Sequence, residues 1–320
     1  MRIDVHAHYF PQEYVDCIAR LVDPTVAPTT ARAPGAAIDI EERLALMDSA
    51  GIDLQVLSTS LLHPNAPDEG DAKAAARLGN DLYADVCKRY PDRFAAFAAV
   101  PLPHVDAAIA EVGRCLDTLG FLGVATGCSV AGRPLDDPAF EPFWAELDRR
   151  GAILFLHPLF IGFGNELKDY GMQVMMGALF EDSVAAVRLV VSGLTTRYPR
   201  MRVIVPHLGG TLPFMMARVA NNIEGARRRG AVPTSDVPPR DAFRRLWYDT
   251  CNHEPAALRC ACDVFGTDRL LLGTDFPYAV GDRFRHCVEY IQEAGLSPAE
   301  TEAILGGTAQ ALLGLEAPRA

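Results

Sequence analysis

The sequence predicts an α/β fold, a (β/α)8 barrel, on three observations. Eight short apolar runs alternate with stretches of helical periodicity along 320 residues, the pattern that a closed ring of parallel strands with crossover helices requires. No glycine-rich phosphate loop follows the first run, although an open doubly wound sheet would place one there. The first run ends instead in His6-Ala7-His8, and several later runs also end in histidine or aspartate. Barrel enzymes carry their reactive groups at the C-terminal ends of their strands.

The first strand is Arg2 to His8, where alternation puts both imidazoles on one side of the chain. Tyr9-Phe10-Pro11 opens a helix over about 12–22. Residues 23–38, rich in Pro, Ala and Thr, form a loop able to overhang the site. Ile40, Leu44 and Met47 restore helical spacing, and Gly51 stands where a C-cap is expected. The second strand spans 54–59, and His63 follows it in a loop before a helix at about 72–90. The third and fourth strands span 94–100 and 120–126, with helices after them at about 104–118 and 138–150. Trp144 is placed on a core face. The fifth strand, Ala152 to Phe155 and Leu156, ends at His157-Pro158, and a Gly- and Met-bearing insertion covers 159–178. After a helix at about 179–198 the sixth strand, Val203-Ile204-Val205, leads to Pro206-His207. The seventh and eighth strands are Leu246 to Thr250 and Leu270 to Asp275. Helices near 211–229, 254–264, 282–294 and 298–313 complete the alternation, with no linker, so residues 1–320 read as one domain.

Composition narrows the function. With 49% hydrophobic and 22% charged residues the chain suits a soluble protein with a substantial core. A net charge of -11 argues against a nucleic-acid partner, which needs basic patches. No apolar run is long enough to span a membrane, and no basic-plus-apolar leader opens the chain. The eight cysteines are scattered without a CxxC pair, so reduced thiols and a cytoplasmic location are expected.

His6, His8, His157 and Asp275 terminate apolar strands, as His207 does after Pro206. Each has a bland explanation alone: a strand-end histidine bonded to a carbonyl, a helix N-cap neighbour, an aspartate capping a turn. All of those explanations would have to hold at once. Convergent imidazoles and a carboxylate instead suit one divalent cation, zinc first and manganese second, with coordination left open for a substrate. His63 and His253 lie deeper in loops and are candidates for lining the substrate. Arg218 is assigned a salt bridge at the barrel rim.

These motifs (His6-x-His8, His157-Pro158, Pro206-His207-Leu208-Gly209-Gly210 and Gly273-Thr274-Asp275-Phe276-Pro277) resemble the amidohydrolase superfamily. More narrowly they resemble its branch around aminocarboxymuconate semialdehyde decarboxylase, with Tyr9-Phe10-Pro11, the stretch Leu44 to Asp53 and Leu212-Pro213-Phe214 adding to the match. The resemblance runs from about residue 2 to residue 313. It implies a single metal held by His6, His8, His157 and Asp275, with His207 as a catalytic residue that is not necessarily a ligand. It implies a carboxy-lyase: non-oxidative decarboxylation of a small salicylate-type hydroxybenzoate or related unsaturated acid, with Asp275 and His207 moving the proton. The alternative is a metal-dependent hydrolase of a lactone or another carbon–oxygen or carbon–nitrogen bond on the same barrel. A homodimer is implied too.

Binuclear members of the superfamily typically carry a lysine at the end of the fourth strand, and Val124-Ala125-Thr126-Gly127 offers none, which favours one metal. The aminocarboxymuconate enzymes have a substrate-binding arginine before the helix at 39–50, where this chain has Ala33-Pro34-Gly35-Ala36-Ala37, with Arg32 nearest. A more apolar or singly carboxylated aromatic acid therefore fits better than a muconate. Phe160, Met175, His253 and Phe276 are the expected substrate-binding side chains, with Phe163, Met172, Met176 and Phe180 as further candidates for the wall.

Overall fold

The computed structural model describes residues 1–24, 33–159 and 165–315. Eight parallel strands lie in the order β1 (Ile3–His8), β2 (Leu54–Ser58), β3 (Phe94–Ala99), β4 (Gly123–Gly127), β7 (Ile153–His157), β8 (Arg202–Val205), β9 (Trp247–Asp249) and β10 (Leu270–Leu271). The expected (β/α)8 barrel is thus the fold found. The eighth strand is shorter by ladder pairing than its apolar run, yet it closes the ring. Val5 N–H donates to Leu272 O at 3.0 Å, Asp275 N–H to His6 O at 2.8 Å and His8 N–H to Phe276 O at 2.7 Å.

Between β4 and β7 lies a small antiparallel hairpin, β5 (Ser129–Val130) and β6 (Arg133–Pro134). Two-residue strands are too short to leave an alternating pattern, so the sequence gives no sign of it.

Helix boundaries follow the local chemistry. The Asp39 carboxylate accepts from Glu42 N–H at the start of the helix Ile40–Ala50, and Gly51 ends it with φ +65°. Trp144 is fully buried and donates its indole N–H to Leu135 O at 2.9 Å. Arg218, by contrast, is exposed and makes no ion pair among the described residues, so the rim salt bridge is not formed.

Two apolar layers sandwich the strand ring. Ile3, Val5, Val56, Phe97, Phe155, Ile204 and Leu271 fill the interior, while Ala7, Leu57, Leu154, Leu156 and Val205 pack outward on the helices. Strict alternation from Val5 would turn His6 outward. A one-residue bulge prevents this: Asp4 pairs with Gln55, but Ala7 pairs with Leu57. The extra residue re-aims the chain so that His6 and His8 both point inward. The buried Asp4 carboxylate stabilises the bulge by accepting from His6 N–H at 3.0 Å, Thr274 N–H at 3.0 Å, Thr274 Oγ1 at 2.6 Å and Gln55 Nε2 at 2.7 Å.

Candidate metal and catalytic site

His6 and His8 come from β1, His157 from the end of β7, His207 from the turn after β8 and Asp275 from the segment after β10. The barrel brings all of them to one point. His6 Nε2 lies 3.2 Å from His8 Nε2, and Asp275 Oδ1 lies 3.2 Å from the first and 2.9 Å from the second. His157 Nε2 is 4.0 Å from the same oxygen. One donor atom each from His6, His157, His207 and Asp275 all fall within 4.8 Å of one another. The His6 ring stands edge-on to Phe155 at 5.1 Å, so the group rests on the apolar barrel interior.

What fixes the rings is the other nitrogen of each. His6 Nδ1 is 2.8 Å from Asp249 Oδ2, His8 Nδ1 is 2.9 Å from Ser58 Oγ, and His157 Nδ1 donates to Pro158 O at 2.9 Å. Partners on Nδ1 settle ring orientation and leave Nε2 aimed inward, the arrangement seen behind metal-bound histidines. Glycine is required at 273 for the same reason: a Cβ there would stand 2.9 Å from Asp249 and 3.0 Å from His6.

The group fits a divalent cation. Inward-pointing lone pairs of neutral imidazoles repel one another and the carboxylate unless a positive charge lies among them. A proton on His6 answers one such contact, but His157 Nε2 is buried with no hydrogen-bond partner. Three imidazole nitrogens and a carboxylate oxygen form a donor set suited to zinc or manganese.

Burial alone works against charge on His6, yet the Asp249 and Asp275 carboxylates outweigh it and hold its pKa well above the ordinary value. Burial pulls His8 down to about 4 and His157 down to about 3, Asp275 offsetting only part of it. Burial opposes charge on Asp275 too, but the charge of His6 and the close approach of the His6 and His8 rings keep its carboxyl well below the usual range.

His207 is tied differently. Its Nδ1 meets the buried Asp182 Oδ2 at 2.8 Å, and its backbone N–H donates to Asp249 Oδ1 at 3.0 Å. Asp249 thereby holds a metal-site histidine with one oxygen and the His207 turn with the other. Burial disfavours charge on His207, but Asp182 more than compensates and raises its pKa. His207 and Leu208 have φ of 55° and 56°, Asp275 of 57° and His253 of 66°, so left-handed non-glycine backbone gathers around this centre. Such strain persists only where surroundings impose it, and it concentrates at functional sites.

Above the centre opens a cavity of about 600 Å3 whose lining includes His157, His207, Asp275, Leu61, Met175 and His253. Met175 and His253 thus line this cavity. Phe276 does not: it is buried, with the Arg43 guanidinium 4.3 Å above its ring, in the layer outside the strands. The left-handed turn at Asp275, φ 57°, sends it outward. Phe160 and Phe163 lie outside the described residues, as does Arg32. His63 is buried without a partner for Nε2, its pKa pushed down to about 3 by burial, and it is not part of the lining. Sequence reasoning missed Asp249, Asp182 and Ser58. Asp249 ends an apolar run just as Asp275 does, so its signal was present; Asp182 sits within a helix and has no local signature.

The amidohydrolase family pattern matches residues 3–315. The chain belongs to that family. It is 33% identical over 286 residues to the gamma-resorcylate decarboxylase of Rhizobium radiobacter, covering 82% of this chain and 84% of that one. It is 29% identical over 280 residues to the 2-amino-3-carboxymuconate-6-semialdehyde decarboxylase of Dictyostelium discoideum, covering 87% and 77%. A crystal structure of a Polaromonas dihydroxybenzoic acid decarboxylase with bound manganese and the inhibitor 2-nitroresorcinol superposes with a TM-score of 0.80 at 27% identity, covering 100% of this chain and 98% of that one. Within the amidohydrolase superfamily this chain is a carboxy-lyase, as the resemblance implied.

Proposed function

We propose that this carboxy-lyase removes CO2 non-oxidatively from a salicylate-type hydroxybenzoate, using one divalent ion held by His6, His8, His157 and Asp275. The observation that carries the reading is the convergence of these four side chains on one point, each imidazole oriented from behind through Nδ1. The ion, when bound, acts as template and charge sink for the substrate's carboxylate and neighbouring phenolate. Zinc suits a nitrogen-rich donor set best, and manganese is the alternative.

Loss of CO2 from an aromatic acid would leave a ring carbanion unless the ring carbon is protonated first. In this reading Asp275, facing the cavity, is the proton donor, passing to the ring carbon a proton that it first takes from His207, since its own carboxyl is ionised at rest. His207 orients or exchanges that proton, and Asp182 keeps its ring in register. The protonated carbon loses its bond to the carboxylate, the electron pair returns to the ring, and aromaticity is restored as CO2 departs. Met175 and His253, with Phe160 among the remaining expectations, shape the wall against the ring.

Residues 1–320 act as one barrel domain in this reading, and the chain works as a cytoplasmic homodimer. No described helix is long and apolar enough to cross a membrane. Tyr170, Val174, Met176 and Phe214 expose large apolar side chains, Phe214 at 91%, which a second copy would cover. The functional test is CO2 release from a panel of ortho-hydroxybenzoates, with solvent deuterium followed into the vacated ring position. Release that a chelator abolishes supports the reading. No release, with cleavage of a lactone panel, would overturn it in favour of the hydrolase.

A further inference from the structure

The active-site cavity has one feature that removal of a single carboxylate does not use. Arg283 lies in its wall, on the first turn of the helix Asp282–Gln292, and is the one arginine or lysine among the described lining residues. The residue is exposed, and its guanidinium has no hydrogen bond or ion pair among the described residues, so it is free to meet a ligand entering from solvent. The nearest acid in sequence, Asp282, is paired with Arg285. The single carboxylate among the described lining residues, Asp275, is engaged by His6 and His8.

The surroundings of Arg283 are built rather than loose. Cys287, one turn along, has Sγ 3.2 Å from the Arg283 carbonyl oxygen and 3.2 Å from His253 Nε2. That thiol links the turn carrying Arg283 to His253, whose backbone is held at φ 66°. Asn252 joins them in the lining, against Leu61, Val174, Met175 and Leu179 on the apolar part of the wall. Burial, reinforced by the charge of Arg283, lowers the His253 pKa to about 4, so it is neutral at pH 7. The polar corner therefore offers one full positive charge flanked by neutral groups.

We propose that Arg283, with Asn252 and His253, forms an anion subsite in the cavity wall that selects aromatic acids bearing a second carboxylate. The proposal rests on the decarboxylase reading above, in which the reacting carboxylate is taken up at the histidine floor. A monocarboxylate leaves the guanidinium unanswered. A second carboxylate meets a planar donor shaped for two-point pairing.

Salicylate and 4-hydroxyisophthalate, the same ortho-hydroxy acid with a second carboxylate, are the probes. Their binding to metal-loaded protein is measured calorimetrically and their turnover by CO2 release, for wild type, Arg283→Ala and Arg283→Lys. The wild type is expected to bind the dicarboxylate at least about tenfold more tightly. Arg283→Ala should raise the KM for the dicarboxylate about tenfold, leave kcat within about twofold and leave salicylate unchanged, with Arg283→Lys between. Equal losses for both acids would mean that Arg283 reads the reacting carboxylate, and no loss for either would mean that it reads nothing; both results overturn the proposal. Turnover of both acids without preference removes the subsite and spares the decarboxylase. Failure of the wild type to bind or turn over either acid removes both.

Discussion

The floor and the wall of the cavity are built on opposite terms. On the floor, His6 and His8 are fully buried and His157 is 2% exposed, and each ring is fixed from behind by a carboxylate, a hydroxyl or a carbonyl. On the wall, Val174 is 64% exposed and Met175 60%, packed on little. The difference teaches where chemistry and selectivity reside. Strand ends held by the barrel supply geometry that tolerates no change, whereas the loops above supply surface that can vary without disturbing it.

The sharpest way to break this contrast is to remove a floor ligand. His157→Ala should reduce CO2 release below detection, and an unchanged far-ultraviolet dichroism spectrum would show that the barrel survives. His207→Asn should lower kcat by about 10²–10⁴, the usual worth of a positioned proton-transfer group. Full turnover in that variant would remove His207 from the mechanism. Asp249→Asn acts one step further back, and metal affinity measured by competition with a chelator should fall about 10–100-fold.

Acidity offers a fourth probe. In the metal-free protein the raised pKa of His6 keeps its proton on at pH 7, while His8 at about 4 and His157 at about 3 are already neutral. Metal binding must expel the proton from His6, so affinity falls as pH falls. Titration calorimetry in buffers of different ionisation enthalpy should therefore report about one proton released per ion. Release near zero would contradict the assignment. The smallest effect belongs to the wall: Met175→Ala should change KM by on the order of threefold with kcat unchanged, since a half-exposed side chain gives up little apolar contact.

The same contrast governs what could be read from the chain alone. Apolar strands with histidine or aspartate at their ends declare the barrel and its floor, because burial on both faces leaves a continuous apolar run that a polar residue visibly interrupts. The bulge that turns His6 inward left no mark, since its cause is a buried network joining Asp4, Gln55 and Thr274 from three distant segments. Asp182 was hidden because only the packing of the helix Ala178–Val191 against the turn His207–Gly209 brings it to His207. Phe276 was misplaced because its register is set where Asp275 turns with φ 57°, which composition does not reveal. Nothing in the chain sets Arg283 apart from other charged residues near helix starts.

The central claim is that the floor divides into groups that hold one ion and a group, His207, that moves protons beside it. Elemental analysis of wild type, His157→Ala and His207→Asn, each loaded with zinc or manganese and freed of excess metal, tests it most directly. The account predicts one ion per chain in wild type and in His207→Asn, and almost none in His157→Ala. Two ions per chain in wild type, or loss of metal from His207→Asn, would contradict it.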